Sequence, residues 1–336
     1  MATADPGAAN SEFLANCRAK PSKGAPPAPR HRPSIRPAPC RLLQQISTVA
    51  RRQLRLILAD RGYLLFLAVL PFILGTLSAL VPGDAGFGIV NLHGRAPDEP
   101  ADIMILLNVS AVFMGAALTI RDLIGERTIF RREHGVGLSA WAYLFAKIMV
   151  FCLIAAVQTA VLTAIVVVGK GGPTRGAVVM GDPILELYLT LAVTAAVSAV
   201  MGLAMSAAAK SQDQILPMLV ISVMVSLVFS GGLIPVTGRM VFDQLSWAIP
   251  ARWGFAASAS TTDLHTIAPL VLSNETLWSH QSGWWLLDMA VLIVLGGVLA
   301  AGARWPIRLN TTPRASDRTT RLAQWVPAAL RTVVAA

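Results

Sequence analysis

Six apolar runs, each about long enough to cross a bilayer, leave this chain few ways to fold. A membrane-spanning helix needs about 20 mostly apolar residues. Runs of that kind fall at about 63–81, 103–120, 145–168, 184–208, 215–235 and 284–303 of the 336 residues. Pro71 and Pro217 lie inside or at the start of two of them, which membrane helices tolerate where neighbours satisfy the freed backbone groups. The expectation is an all-α integral membrane protein with six transmembrane helices. Only 14% of the residues are charged, against about 25% in soluble domains, which excludes an ordinary cytosolic enzyme.

The segments around the runs divide the chain further. Residues 1–40 hold eight of the 21 prolines and can bury no core, so they read as a disordered, basic, Pro-rich tail. Across 41–62, Leu43, Ile46, Ala50, Leu54 and Ile57 recur at steps of three and four, with Arg41, Arg51, Arg52 and Arg55 on the other faces. That is the pattern of an amphipathic helix lying in the cytoplasmic interface. The membrane domain then occupies 63–303, followed by a basic tail at 304–336.

Charge sets the orientation. Only five of the 28 Lys and Arg fall in segments on the side opposite the N-terminus. The positive-inside rule therefore places both termini in the cytoplasm of a multi-pass protein of the cell membrane. The same distribution accounts for the net charge of +10 by anionic lipid headgroups, with no call for nucleic acid.

Two connections stand out. The charged loop after the second run holds ERTIFRRE at 126–133. On a helix, Glu126, Phe130 and Glu133 share a face, where an aromatic knob between two carboxylates could dock into a partner. The connection at 236–283 contains semi-apolar stretches at 241–249 and 253–259, too short to span, and reads as short re-entrant helices in the outer leaflet.

Familiar reaction chemistry is missing from the sequence. There is no G-x-x-x-x-G-K-[ST] phosphate loop, and Gly169-Lys170 lacks the following Ser or Thr. The histidines are scattered, so no metal is expected. Glu186 and Asp288 sit at the ends of runs, where they are expected to reach water. An ion-coupled carrier ordinarily buries a carboxylate near mid-membrane, so the energy source is expected in another chain. An ion-coupled secondary carrier and a non-transporting membrane protein, either a scaffold or a decayed permease, are the alternatives.

The sequence ERTIFRREHGVGLSAWAY at 126–143 resembles the E-R-x-x-F-x-x-E…S-x-x-Y signature after the second span of the ABCG (White-type) branch of ABC-2 permeases. FSGGLIP at 229–235 and LSWAIPARWGFAA at 245–257 resemble that family's fifth-span exit and its outer-leaflet segment, here Pro250, Arg252, Trp253, Gly254 and Phe255. The resemblance implies the permease of an ATP-driven exporter moving a lipid-like or amphipathic substrate. Glu126, Arg127, Phe130 and Glu133 would couple to the ATPase, with Arg51, Arg52 or Arg55 of the connecting helix as the partner of Glu126. Leu107, Ala111 and Met114 of span two would line the substrate path with Val220 and Met224 of span five. The family's leucine plug reads Gly232-Leu233 here, leaving Leu233 as the exit gate. The resemblance also implies a homodimer. Family chains usually carry the nucleotide-binding domain ahead of the spans on the same polypeptide, whereas residues 1–40 read as a disordered tail here, so ATP and Mg are expected on a separate nucleotide-binding subunit.

Overall fold

Polar punctuation decides where the helices begin and end. The computed structural model describes residues 42–91, 93–94, 96–135, 138–234, 240–268 and 276–309. The tail expected at 1–40, Arg41, Pro235 at the end of the fifth run, and the tail beyond residue 309 lie outside them. Asp60 separates α1 (Leu42–Ala59) from α2 (Arg61–Ala79), its carboxylate accepting a hydrogen bond from the Tyr63 amide at 3.1 Å. Pro100 lies in the first turn of α3 (Glu99–Thr119), where its missing N–H costs nothing. Two short helices follow, α4 (Asp122–Gly125) and α5 (Arg127–Gly135), before the long α6 (Ala140–Lys170). Asp182 caps α7 (Pro183–Ala208) through the Ile184 amide at 2.9 Å. Then come α8 (Ile215–Phe229), α9 (Met240–Ser246), α10 (Pro250–Thr262), α11 (Leu264–Ile267) and α12 (Ser282–Leu309).

Among the described residues every regular element is helical, and six segments are long and apolar enough to cross a membrane. They run Arg61–Ala79, Glu99–Gly125, Ala140–Lys170, Pro183–Ala208, Gln212–Phe229 and Ser282–Trp305. The protein is a multi-pass membrane protein, with the spans in the expected order. The second extends beyond its apolar run, taking in the first turn of α3 at one end and α4 at the other, and the third begins five residues earlier, at Ala140, and ends at Lys170.

Helices α3 and α7 form the centre of the bundle. Their backbones meet at two glycines. A Cβ on Gly115 would lie 2.1 Å from the Ala195 carbonyl oxygen, and one on Gly202 would lie 2.2 Å from the Thr119 hydroxyl. The Thr119 hydroxyl donates to the Ala199 carbonyl at 2.8 Å across the same contact. Small residues let spanning helices approach this closely where no hydrophobic driving force separates them from lipid. By contrast α8 is mostly exposed, with only Ile215 and Ser226 buried.

The segment between α8 and α12 is more deeply placed than its sequence suggests. Every residue of α10 is buried, and the helix packs against α3, α7 and α12. Asn108 on α3 donates to the Ser258 hydroxyl at 3.2 Å, and the Trp285 indole of α12 donates to Thr190 of α7 at 3.2 Å.

Two carboxylates expected to reach water do not. Glu186 and Asp288 are both fully buried. Glu186 is taken out of solvent by its partners: the amides of Val179 at 2.8 Å, Met180 at 3.1 Å and Val178 at 3.3 Å, and the Thr261 hydroxyl at 2.9 Å. It therefore ties the connection after α6 to α10. Glu99 is buried as well, paired with Lys170 at 2.7 Å, and the same ammonium donates to the Gly83 carbonyl at 2.8 Å. Glu186→Ala strands three loop amides and the buried Thr261 hydroxyl, so a loss of about 1–3 kcal/mol is expected. It is read as a lower thermal midpoint of the detergent-solubilised protein; an unchanged midpoint would mean that other contacts hold the loop.

Candidate functional site

A buried ammonium organises one end of the bundle. Lys147, in the second turn of α6, is fully buried although it lies in a membrane-spanning helix. Its Nζ lies 3.0 Å from Glu126 Oε2, donates to Gln53 Oε1 at 3.0 Å, and pairs with Asp122. Gln53, on the inner face of α1, donates its amide to Asp122 at 2.8 Å. The Tyr143 hydroxyl donates to Glu126 at 2.9 Å. One lysine thereby joins α1, α4, α6 and the α4–α5 junction, and each carboxylate it meets has a second donor. A buried charge is tolerable only when satisfied in this way.

Arg52 extends the network outward. It lies 3.6 Å from Glu126 and pairs with Glu133 on α5. Of the three arginines expected to meet Glu126, Arg52 does so, whereas Arg51 and Arg55 are exposed. The inner face of α1 is Val49, Gln53 and Ile57, while Leu43 and Leu54 of the expected apolar stripe are exposed. The stripe splits because polar Gln53 and Arg52 have partners on the protein.

Arg127 ties α5 to α7. Its guanidinium donates to the Ala207 carbonyl at 3.0 Å and to that of Ala209, capping the unsatisfied end of α7. Burial, and the Arg131 charge beside it, pull its pKa below the ordinary arginine value. Phe130 is not the exposed knob its spacing suggests. It is 6% exposed, with its ring 4.6 Å from that of Tyr143. Tyr143 also carries the hydroxyl on Glu126, so the aromatic pair fixes the angle at which α5 leaves the bundle. The sequence reading missed Lys147, Asp122 and Gln53. A lysine within the third apolar run was the available signal.

Beside this network a groove of about 560 Å³ opens between α2, α3 and α8. Tyr63 and Phe66 of α2 and Phe113 and Ala117 of α3 line one side, and Leu219, Val220, Val223 and Met224 of α8 line the other. Of the residues expected along the substrate path, Val220 and Met224 line this groove. Leu107, Ala111 and Met114 do not: all three are fully buried in the core. The accessible stripe of α3 runs instead through Leu106, Val109, Phe113 and Ala117, because the Gly115 face is committed to α7.

The Pro250–Phe255 motif packs tightly into the bundle. Arg252 is buried and lies 3.2 Å from Asp243 of α9. The Trp253 indole donates to the Trp247 carbonyl at 3.0 Å. A Cβ on Gly254 would sit 2.3 Å from the Thr194 hydroxyl, so glycine lets α10 close on α7, while Pro250 starts the helix. Phe255 lies against Trp278 and fills the space a side chain at 232 would take, a Cβ there falling 2.5 Å from its ring. This is why glycine stands at the first position of the expected leucine pair. Leu233, the second, is half exposed just beyond the C-terminal end of α8.

The family model described as ABC-2 type transporter matches residues 44–261. The chain is 56% identical over 307 residues to the ABC transporter ATP-binding/permease protein Rv1747 of Mycobacterium tuberculosis (strain ATCC 25618 / H37Rv). The match covers 91% of this chain and 35% of that protein, so the chain spans about a third of its relative's length. The matched family region takes in the network around Lys147, the groove and nearly all of α10, and with six spanning helices around them the chain belongs to the ABC-2 type transporter family.

Proposed function

We propose that the chain is the permease of an ATP-driven exporter in the cytoplasmic membrane, with both ends of the membrane domain facing the cytoplasm. ATP hydrolysis is supplied by a nucleotide-binding subunit that carries ATP and Mg. The related mycobacterial protein is named for ATP binding and permease together, which fits a partner of that type. The cargo is lipid-like or amphipathic, matching an apolar groove whose sides are half exposed. Two copies pair as a homodimer, covering the apolar face of α8 with Val220, Ile221 and Met224 about half exposed. The outward arginines of α1, Arg51 and Arg55, rest among lipid phosphates.

Arg52 carries this reading. It spans Glu126 and Glu133 from the connecting helix, so α5 cannot shift without pulling on α1 and, through Glu126 and Lys147, on α6. Arg127 makes the same link to α7. A helix joined to three others by ion pairs and a cap is suited to receive force from a partner and pass it to the spans. Glu126, Arg127 and Glu133 are thus assigned to coupling, with Phe130 as the residue that positions them. Leu233 and the Pro250–Phe255 segment are assigned to the exit.

The test separates coupling from folding. Arg52 and Glu133 are each about a third exposed, so loss of the pair is expected to change stability by under about 1 kcal/mol. In vesicles holding the permease and its ATPase, Arg52→Ala is expected to reduce cargo-stimulated ATP hydrolysis about fivefold or more. Unchanged stimulation would remove Arg52 from the coupling path.

A further inference from the structure

A proline in the middle of a spanning helix leaves one carbonyl without its backbone donor. Pro71 lies inside α2, and the carbonyl it frees is that of Leu67, four residues earlier. A neighbouring helix supplies the replacement: the Gln158 amide of α6 donates to the Leu67 carbonyl at 2.8 Å. Gln158 is 5% exposed, and its amide oxygen has no hydrogen-bond partner among the described residues. A backbone N–H moves only with its own helix. A glutamine amide turns about its own side-chain torsions and can follow a carbonyl through a change of bend. With the oxygen untethered, no second bond fixes the direction of this amide.

The two halves of α2 on either side of the proline are held differently. In the latter half a Cβ on Gly75 would lie 3.1 Å from Ile165 Cβ, and one on Gly169 would lie 3.0 Å from Ala79 Cβ, so this half lies close against α6. The first half, residues 61–70, carries Tyr63 and Phe66 of the groove wall. It docks on the end of α3 through the Tyr63 hydroxyl, which donates to the Leu118 carbonyl at 2.6 Å. It also continues α1 through the Asp60 turn, where the Leu64 amide donates to the Asp60 carbonyl at 2.9 Å. Through Gln53, α1 is tied in turn to Lys147 and Asp122. We propose that Gln158 is a positioning residue for the groove: α2 bends at Pro71, and the Gln158 amide holds the pivot while the half carrying Tyr63 and Phe66 moves with α1. Such a bend changes the width of the groove without baring the Leu67 carbonyl to the bilayer. The proposal rests on the permease reading, which makes the groove a path and α1 a helix that receives force.

The experiment places pairs of spin labels in the full chain in vesicles, with the three native cysteines changed to alanine. Labelled copies are diluted with unlabelled ones so that distances within one copy are read. One pair is Leu64→Cys with Val157→Cys, reporting the first half of α2 against α6; the other is Leu77→Cys with Val157→Cys, reporting the latter half. All three native side chains are exposed. Tyr63→Phe releases the first half from α3. Leu64 precedes Pro71 by an arm of about 10 Å at 1.5 Å per residue, so a change in bend of about 20° moves it by about 3–4 Å. In Tyr63→Phe the 64–157 distance is expected to shift or spread by that amount while the 77–157 distance stays fixed. Adding Pro71→Ala, which returns a backbone donor to Leu67, should cancel the change. Both distances moving together, neither moving, or a change that survives Pro71→Ala overturns the proposal. Thermal midpoints test the part of Gln158: Gln158→Met keeps the stem, removes the donor and lowers the midpoint, and most of that loss should vanish in the Pro71→Ala background. A loss of the same size in both backgrounds overturns the assignment of Gln158 to the pivot. Capture of the ATPase, measured on the same preparations, tests the permease reading separately: the bend can fail while capture persists, and the reverse.

Discussion

Replacing Lys147 by methionine is expected to be the most damaging change of a single charge in this protein. The substitution keeps the stem and removes the ammonium, leaving Asp122 and Glu126 close together in a largely buried site (11% and 16% exposed). Gln53 and Tyr143 remain as donors but bring no compensating charge. Breaking a buried pair from one side costs about 3–5 kcal/mol, a large share of the about 5–15 kcal/mol that holds a typical domain together. The thermal midpoint of the detergent-solubilised protein should fall sharply, and α1 and α5 should lose their hold on α6. Adding Asp122→Asn should recover much of the loss, because the pair forms one coupled unit. A midpoint unchanged in Lys147→Met would mean that the ammonium is not the hub of this junction.

The second large effect is expected at Gly115. A Cβ there would lie 2.1 Å from the Ala195 carbonyl oxygen and 2.9 Å from the Ala199 nitrogen. Both are backbone atoms of α7 and cannot rotate away. Gly115→Val must push α3 and α7 apart, breaking the Thr119 hydrogen bond to Ala199. Overpacking a core costs about 1–3 kcal/mol where side chains can yield, and more is expected against backbone. Size-exclusion chromatography in mild detergent should show little monodisperse protein. Gly297→Ala is the control: nothing lies within 4 Å of its added carbon, and the change should stabilise α12 by up to about 1 kcal/mol. If Gly115→Val purified as well as Gly297→Ala, the close α3–α7 approach would be wrong.

These two sites differ in how far the sequence reveals them. The spans were legible because twenty apolar residues in a row have one common meaning. The short helix that follows Glu126 and carries Arg127, Phe130 and Glu133 was legible from its motif. The inward face of α3 was not. A helix apolar on every side carries no amphipathic signal, so Leu107, Ala111 and Met114 could not be told from Phe113 and Ala117 by hydropathy. Ala111, Gly115 and Thr119 stand four residues apart, and small residues at that step mark helix–helix contact in membranes; they point to the buried face.

Charge at the ends of spans misled for a related reason. Glu186 and Asp288 looked like flanking groups, since position in the sequence does not reveal which loop folds back over them. Glu186 is buried because the amides of residues 178–180 wrap around it, and Glu99 because Lys170 reaches it from the far end of α6. Lys147 escaped notice as a lone cation near the edge of an apolar run. Its partners come from α1 and α4, 94 and 25 positions away, and only the fold brings them together. Buried carboxylates are therefore present in this membrane domain, and the engagement of Glu99 and Glu186 with fixed partners, rather than any scarcity of such groups, weighs against ion coupling.

The most direct measurement is a tagged pull-down of the full chain from native membranes in mild detergent, with mass spectrometry of what remains bound. A P-loop ATPase domain captured in stoichiometric amount, and reduced when Arg127 and Glu133 are both changed to alanine, is the result the permease reading predicts. No ATPase domain at any salt concentration, from protein that is still folded and monodisperse, would contradict it.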